Sequence, residues 1–243
     1  MHLLACGAHA DDVELGCGGT LALAASLGHT VSILDLTAGE LGSNGDPARR
    51  AEEAAAAARA LGVGRRENAG LPDGHLSAAD LGQRREVAGW LRTLGPDLLI
   101  IPGAQNRHPD HSAAHHLLWD AAFLAGLERY DAAGAARRPQ RIIETMERFP
   151  FAPSFVIGID AVVEAKRESL RCYASQFLRG GGRAATSINH PDFLEQLLAR
   201  DRYYGALGGC GYAEPFHSAQ VPLVADPAQL LAPAPFDGAG RAS

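Results

Sequence analysis

Short apolar runs alternate with helix-like segments from the start of the chain, and this alternation is what most limits how it can fold. The runs at residues 3–7, 30–36 and 98–102 carry almost no charge, which marks strands buried on both faces. Between them lie segments with helical signals. One runs over 21–27 up to Gly28. A second starts at Pro47 behind an Asp46 N-cap and reaches about Leu61, and a third spans 77–94 before Gly95-Pro96. Strands alternating with helices predict an α/β, Rossmann-like layered fold, with a mainly parallel sheet covered by helices on both faces. Further strands are expected at 66–69, 141–145 and 155–159, with helices over 112–127, 161–177 and 191–207. One domain over 1–225 is expected, followed by a Pro/Gly-rich tail over 226–243.

Two of the strand-like runs end in clusters of histidine and aspartate. Leu3 to Gly7 leads into Ala8-His9-Ala10-Asp11-Asp12, and Leu98 to Pro102 leads towards Arg107-His108-Pro109-Asp110-His111. In an open α/β sheet, ligands bind in the crevice at the carboxyl ends of the strands, so two such loops can meet in one site. His9 and Asp12 supply an imidazole and a carboxylate, two of the three protein ligands of a catalytic zinc site; His108 and His111 are the candidates for the third. Asp11 and the remaining histidine are the extras that metal-assisted hydrolysis requires, a base and a donor for the charge that forms on an attacked carbonyl.

Composition narrows the partners. A formal net charge of −6 leaves no broad basic footprint, which argues against nucleic acid or an anionic membrane and for a small molecule. Four separated cysteines without a C-x-x-C pair are read as reduced thiols in a cytoplasmic protein. No apolar span of about 18 residues suggests insertion into a bilayer. Gly16-Cys17-Gly18-Gly19-Thr20 lacks the spacing of a dinucleotide loop and is expected to serve helix-sheet packing.

The paired motifs A-H-x-D-D, followed by V-E-L-G-x-G-G-T, and H-P-D-H resemble the zinc-dependent N-acetylglucosamine deacetylase family (PIG-L/LmbE-like). The segments Asp35 to Gly45, Arg50 to Ala54, Leu71-Pro72-Asp73 and Tyr173 to Phe177 are similar to its bacillithiol biosynthesis branch. The resemblance implies that His9, Asp12 and His111 hold one Zn2+ per chain, that Asp11 is the general base, and that His108 is the charged partner of the tetrahedral intermediate. Asp110 would then orient an imidazole. Other divalent metals, such as iron(II), manganese or cobalt, suit the same donors.

The implied reaction removes acetate from an N-acetylglucosaminyl conjugate, with N-acetylglucosaminyl malate as the branch's substrate. Arg50 and Arg107 are candidates for its carboxylates, because a guanidinium binds a carboxylate bidentately; Ser43 and Asn44 are candidates for sugar hydroxyls. Tyr173, Gln176, Glu40 and Asp73 stay open. Other N-acetylglucosamine derivatives, or a mycothiol-type conjugate cleaved by an amidase, are alternative substrates; a sugar- or nucleotide-binding module without chemistry is the non-enzymatic alternative. The family resemblance also implies a homo-oligomer, a trimer or hexamer. Ala10 stands where the family usually has proline, a change that removes no ligand.

Overall fold

The computed structural model describes residues 1–221, 223, 225 and 226; all but the first residue of the expected 226–243 tail therefore lies outside the described residues. Seven strands form one sheet: β1 (His2–Gly7), β2 (Thr30–Thr37), β3 (Arg65–Leu71), β4 (Leu98–Pro102), β5 (Arg141–Thr145), β6 (Phe155–Gly158) and β7 (Ala213–His217). Their order is β3-β2-β1-β4-β5-β7-β6. The first five pair in parallel, and β7 runs antiparallel to both β5 and β6. The helices are α1 (Asp12–Ser26), α2 (Pro47–Ala60), α3 (Leu81–Leu94), α4 (Pro109–Ala125), α5 (Val163–Arg171), α6 (Ala174–Phe177) and α7 (Phe193–Gly208).

Strand β1 shows why its sequence is apolar throughout. Successive side chains of a strand point to opposite faces. Leu3 and Ala5 pack with Val13, Cys17 and Leu21 of α1, whereas Leu4 and Cys6 pack with Val87 and Leu91 of α3 and Leu117 and Leu118 of α4. Both faces are thus covered, as the alternation predicts. The chain passes from β1 to β2 on one side and returns to β4 on the other, so β1 and β4 flank the switch point of the sheet. The two histidine-aspartate clusters follow these neighbouring strands.

Several element boundaries differ from the sequence reading. Helix α1 starts at Asp12 rather than near Leu21, so the glycine run lies inside it. Gly19 is required there by close approach: a Cβ would fall 2.7 Å from Ile159 Cδ1. The helix breaks at Cys17 (φ −146°, ψ 20°), and Glu214 of β7 accepts from Gly19 N (2.9 Å), Thr20 N (2.7 Å) and Thr20 Oγ1 (2.6 Å) just beyond the break. A carboxylate thus caps the second half of a kinked helix.

Helix α4 starts at Pro109 with His108 as its N-cap, three residues before the start expected at 112, so Asp110 lies in its first turn. The helix expected over 161–177 is interrupted at Cys172 and Tyr173, and α3 begins at Leu81, where Asp80 caps it. Strand β7 has no counterpart in the sequence reading.

Candidate active site

The first loop leaves β1 in a tight turn. The backbone N–H of His9 donates to Asp12 Oδ2 at 2.8 Å, which fixes the start of α1. Asp11 between them has φ 115° and ψ −26°, the one non-glycine residue with positive φ among the described residues. Such strain costs on the order of 1–3 kcal/mol and persists where the surroundings over-determine it. Here Arg50 does so: its Nη2 donates to Ala10 O at 2.6 Å and lies 3.6 Å from Asp11 Oδ1. Gly39 (φ 68°) makes room for that guanidinium, since a Cβ there would fall 2.0 Å from Arg50 Nη1.

The second cluster is placed by the N-terminus of α4. Proline at N1 suits the helix start, and His108 Nδ1 accepts from the Asp110 N–H at 3.2 Å. One turn into the helix, His111 faces the first loop. The donor atoms of three side chains then converge: His9 Nδ1 lies 3.2 Å from His111 Nε2 and 3.5 Å from Asp12 Oδ2, and His111 Nε2 lies 3.3 Å from Asp12 Oδ1. A tetrahedral zinc site with arms of 2.0–2.1 Å has ligand-to-ligand edges of about 3.3–3.4 Å. The edge between the two imidazoles suits such an ion, and Asp12 approaches them through different oxygens, Oδ2 towards His9 and Oδ1 towards His111. His108 is exposed, yet its ring lies 4.9 Å from that of His9 and 5.1 Å from that of His111. His9, His108 and His111 form one group able to hold a cation, and His9, Asp73 and Asp110 form another.

The outer nitrogens of both buried imidazoles face carboxylates. Glu147 Oε2 meets His111 Nδ1 and also accepts from Asn106 Nδ2 at 2.6 Å. His9 Nε2 lies 3.0 Å from Asp73 Oδ1 and 3.4 Å from Asp110 Oδ2. Asp110 thus lies beside an imidazole, and that imidazole is His9. Carboxylates behind metal-ligating histidines fix the tautomer and ring orientation.

The electrostatics follow from this crowding. Burial pushes Asp11 up to about 7, partly opposed by Arg50 and reinforced by Asp12. Burial acts the same way on Asp12, but His111 and His9 outweigh it and hold that carboxyl well below the usual range. Burial alone would depress the imidazoles; hydrogen bonds to Asp110 and Asp12 instead raise His9 to about 11, and Asp12 with Glu147 raises His111 to about 9. His108 is depressed, by burial and by the neighbouring His9 and His111. Two adjacent aspartates therefore sit in different states: one is held ionised, the other is poised near neutrality.

A cleft of about 820 Å³ opens over these groups. Ser43, Arg50 and Arg107 line it. Asn44 does not: its side chain donates to Ala184 O at 2.9 Å and accepts from Ala184 N at 2.8 Å, pinning the 38–46 loop rather than facing the cleft. Tyr173 is buried against Glu14 (3.0 Å), and Gln176 donates to Asn44 O (2.6 Å) from the cleft wall. Glu147 and Arg148 are site residues that the sequence reading missed. The available signal was the rule that selected the two clusters, because both lie just past the carboxyl end of β5.

The family profile for GlcNAc-PI de-N-acetylase (PIG-L) matches residues 4–122, which include both clusters. A conserved protein of Thermus thermophilus superposes with a TM-score of 0.84 at 41% identity, covering 91% of this chain and 96% of that one. The diacetylchitobiose deacetylase of Thermococcus kodakarensis is 28% identical over 227 residues, 85% of this chain and 78% of the archaeal one. The 4-carboxy-2-hydroxymuconate hydratase of Pseudomonas putida shares the fold (TM-score 0.75, 23% identity, 93% of this chain and 98% of the other), so the reaction must be argued from the site and not from the fold. With both motifs inside the matched segment and a 41% identical structure along nearly its whole length, this chain belongs to the PIG-L family.

Proposed function

We propose that this chain is a divalent-metal-dependent amidohydrolase that removes acetate from an N-acetylglucosamine-type amide. The observation that carries the reading is the approach of His9 Nδ1 and His111 Nε2 to 3.2 Å with an Asp12 oxygen within 3.5 Å of each, and beside them the carboxylate of Asp11 on a strained backbone. His9, Asp12 and His111 would hold the metal, for which zinc is the first choice. When bound, it supplies Lewis acidity, polarising the amide carbonyl and acidifying a water.

The chain's own groups do the rest. Asp11, with its elevated affinity for a proton, takes the proton from the attacking water and passes it to the departing amine. His108, exposed at the cleft floor and next to two imidazoles, donates a hydrogen bond to the carbonyl oxygen as negative charge grows on it. Glu147 and Asp110 hold the imidazoles in place. Arg50 fixes the backbone turn that aims Asp11, a role that its buried position supports better than direct contact with a solvent-facing aglycone. The products are acetate and a free amine.

A specific observation favours an acidic aglycone, such as the malate of N-acetylglucosaminyl malate in bacillithiol synthesis. Arg107 and Arg148 both line the cleft, both reach Ser187 (3.0 and 3.3 Å), and among the described residues neither is paired with a carboxylate. Burial and the neighbouring Arg107 cation lower the pKa of Arg148. Two guanidiniums held together in this way favour an anion between them. Acetate release should be compared on N-acetylglucosamine, N,N'-diacetylchitobiose and N-acetylglucosaminyl malate. Arg148→Ala should raise KM for the malate conjugate about 10-fold or more, the usual worth of a charge-assisted hydrogen bond, and leave the neutral sugars unchanged. An equal change on all three substrates would remove the case for an acidic aglycone and leave the deacetylase reading intact.

A further inference from the structure

The imidazole of His9 faces two ways. Its Nδ1 lies 3.2 Å from His111 Nε2 and 3.5 Å from Asp12 Oδ2, so for that nitrogen to offer a metal a lone pair the proton must reside on Nε2. A buried N–H needs an acceptor. Asp73 Oδ1, at 3.0 Å, is closer than Asp110 Oδ2, at 3.4 Å, and Asp110 Oδ2 already accepts from Gly74 N at 2.7 Å. The second oxygen of Asp73 accepts from Leu41 N at 2.9 Å, and Leu41, Gly42 and Ser43 form one wall of the cleft.

Asp73 is itself held firmly. It stands two residues beyond β3 in the Leu71-Pro72-Asp73-Gly74 turn, and its side chain is buried. Gly74 takes a positive φ (74°), which lets the turn close with its N–H on Asp110 Oδ2 at 2.7 Å.

We infer that Asp73 is the principal positioning residue for His9 and, through Leu41, ties the substrate-facing loop to the metal centre. This rests on the proposal that His9 is a metal ligand. One oxygen sets the tautomer and direction of the imidazole; the other fixes the loop. Metal affinity and substrate affinity then share one carboxylate, although Asp73 touches neither the ion nor the reacting amide.

The test is zinc affinity, by chelator competition, together with the visible spectrum of the cobalt(II)-substituted protein, for wild type, Asp73→Ala and Asp73→Asn. Asp73→Ala should weaken zinc about 10- to 100-fold, the usual effect of losing such a partner, alter the cobalt spectrum and, at saturating zinc, raise KM. Asp73→Asn offers an acceptor to only one of the two N–H groups and lacks the charge. It should fall between the two in zinc affinity, several-fold below wild type, and still show a raised KM.

Wild-type zinc affinity and cobalt spectrum in a folded Asp73→Ala or Asp73→Asn variant would overturn the inference while leaving the metal site in place. A wild-type chain that takes up no zinc would defeat the metal reading as well.

Discussion

Asp11→Asn should lower deacetylase turnover by about 10²- to 10⁴-fold, the range expected for loss of a general base, with zinc content unchanged. Asparagine is nearly isosteric and tolerates positive φ better than most residues, so the turn at φ 115° survives the change. The backbone hydrogen bond from Arg50 to Ala10 is also untouched. The change removes the proton acceptor and the charge that faces Arg50 at 3.6 Å, and leaves the proposed ligands His9, Asp12 and His111 untouched.

The pH profile adds a second readout. Burial places Asp11 at about 7, and the unprotonated carboxylate is the acceptor, so wild-type kcat/KM falls as pH drops through the pKa of this group. A cation bound beside it favours the ionised form and moves that limb to lower pH. The limb should disappear from the residual activity of Asp11→Asn. Full turnover in a zinc-loaded Asp11→Asn protein would remove Asp11 from the reaction.

Lys166→Met should destabilise the fold by about 3–5 kcal/mol, the usual cost of removing one partner from a buried ion pair. Lys166 is fully buried, 2.8 Å from Asp201 of α7 and 2.6 Å from Glu214 of β7, and both acids are also fully buried. Glu214 in turn caps the kinked half of α1, the helix whose first residue is the proposed ligand Asp12. One ammonium thus joins α1, α5, α7 and β7. Methionine fills similar volume but leaves Glu214 without its cation and Asp201 with Arg200, whose Nη2 lies 2.7 Å from Asp201 Oδ1. Replacing the lysine and both acids together with apolar residues should not restore the stability, since Gly19 N, Thr20 N and Thr20 Oγ1 would lose Glu214 and Arg200 would lose Asp201. Denaturant unfolding reads both changes; a loss below about 1 kcal/mol in Lys166→Met would show that the cluster contributes little.

Much of this architecture is legible in the sequence, for physical reasons. Strands β1, β2 and β4 are buried along nearly their whole length, so their sequences are apolar runs with sharp ends, and the two clusters stand out because they interrupt that pattern. Strand β7 is not legible: Ala213-Glu214-Pro215-Phe216-His217 carries a proline and a fully buried glutamate, tolerated because Lys166 arrives from a different part of the chain. The start of α4 is obscured by a histidine N-cap, although Pro109 at N1 signals it.

The glycines of α1 suggest a helix beginning after them; they lie inside it instead, Gly16 and Gly19 at close approaches to Thr145 and Ile159. Leu71-Pro72-Asp73 stands out as a segment without a role, and Glu147 eludes motif reading, because what they do depends on sheet order, which brings the ends of β3 and β5 to the site. Arg50 draws notice as a possible substrate contact, and its geometry ties it to the turn at Asp11.

The proposed amide hydrolysis depends on a divalent ion held by His9, Asp12 and His111. The most direct test follows acetate and free amine released from N,N'-diacetylchitobiose and N-acetylglucosaminyl malate by the purified chain, before and after metal removal, while zinc is titrated back. The account predicts one acetate per amine, loss of both on chelation, and full recovery at about one zinc per chain, the stoichiometry of a single three-ligand catalytic site. A zinc-loaded chain that binds these sugars and releases no acetate would contradict it, and would identify a binding module built on the same fold.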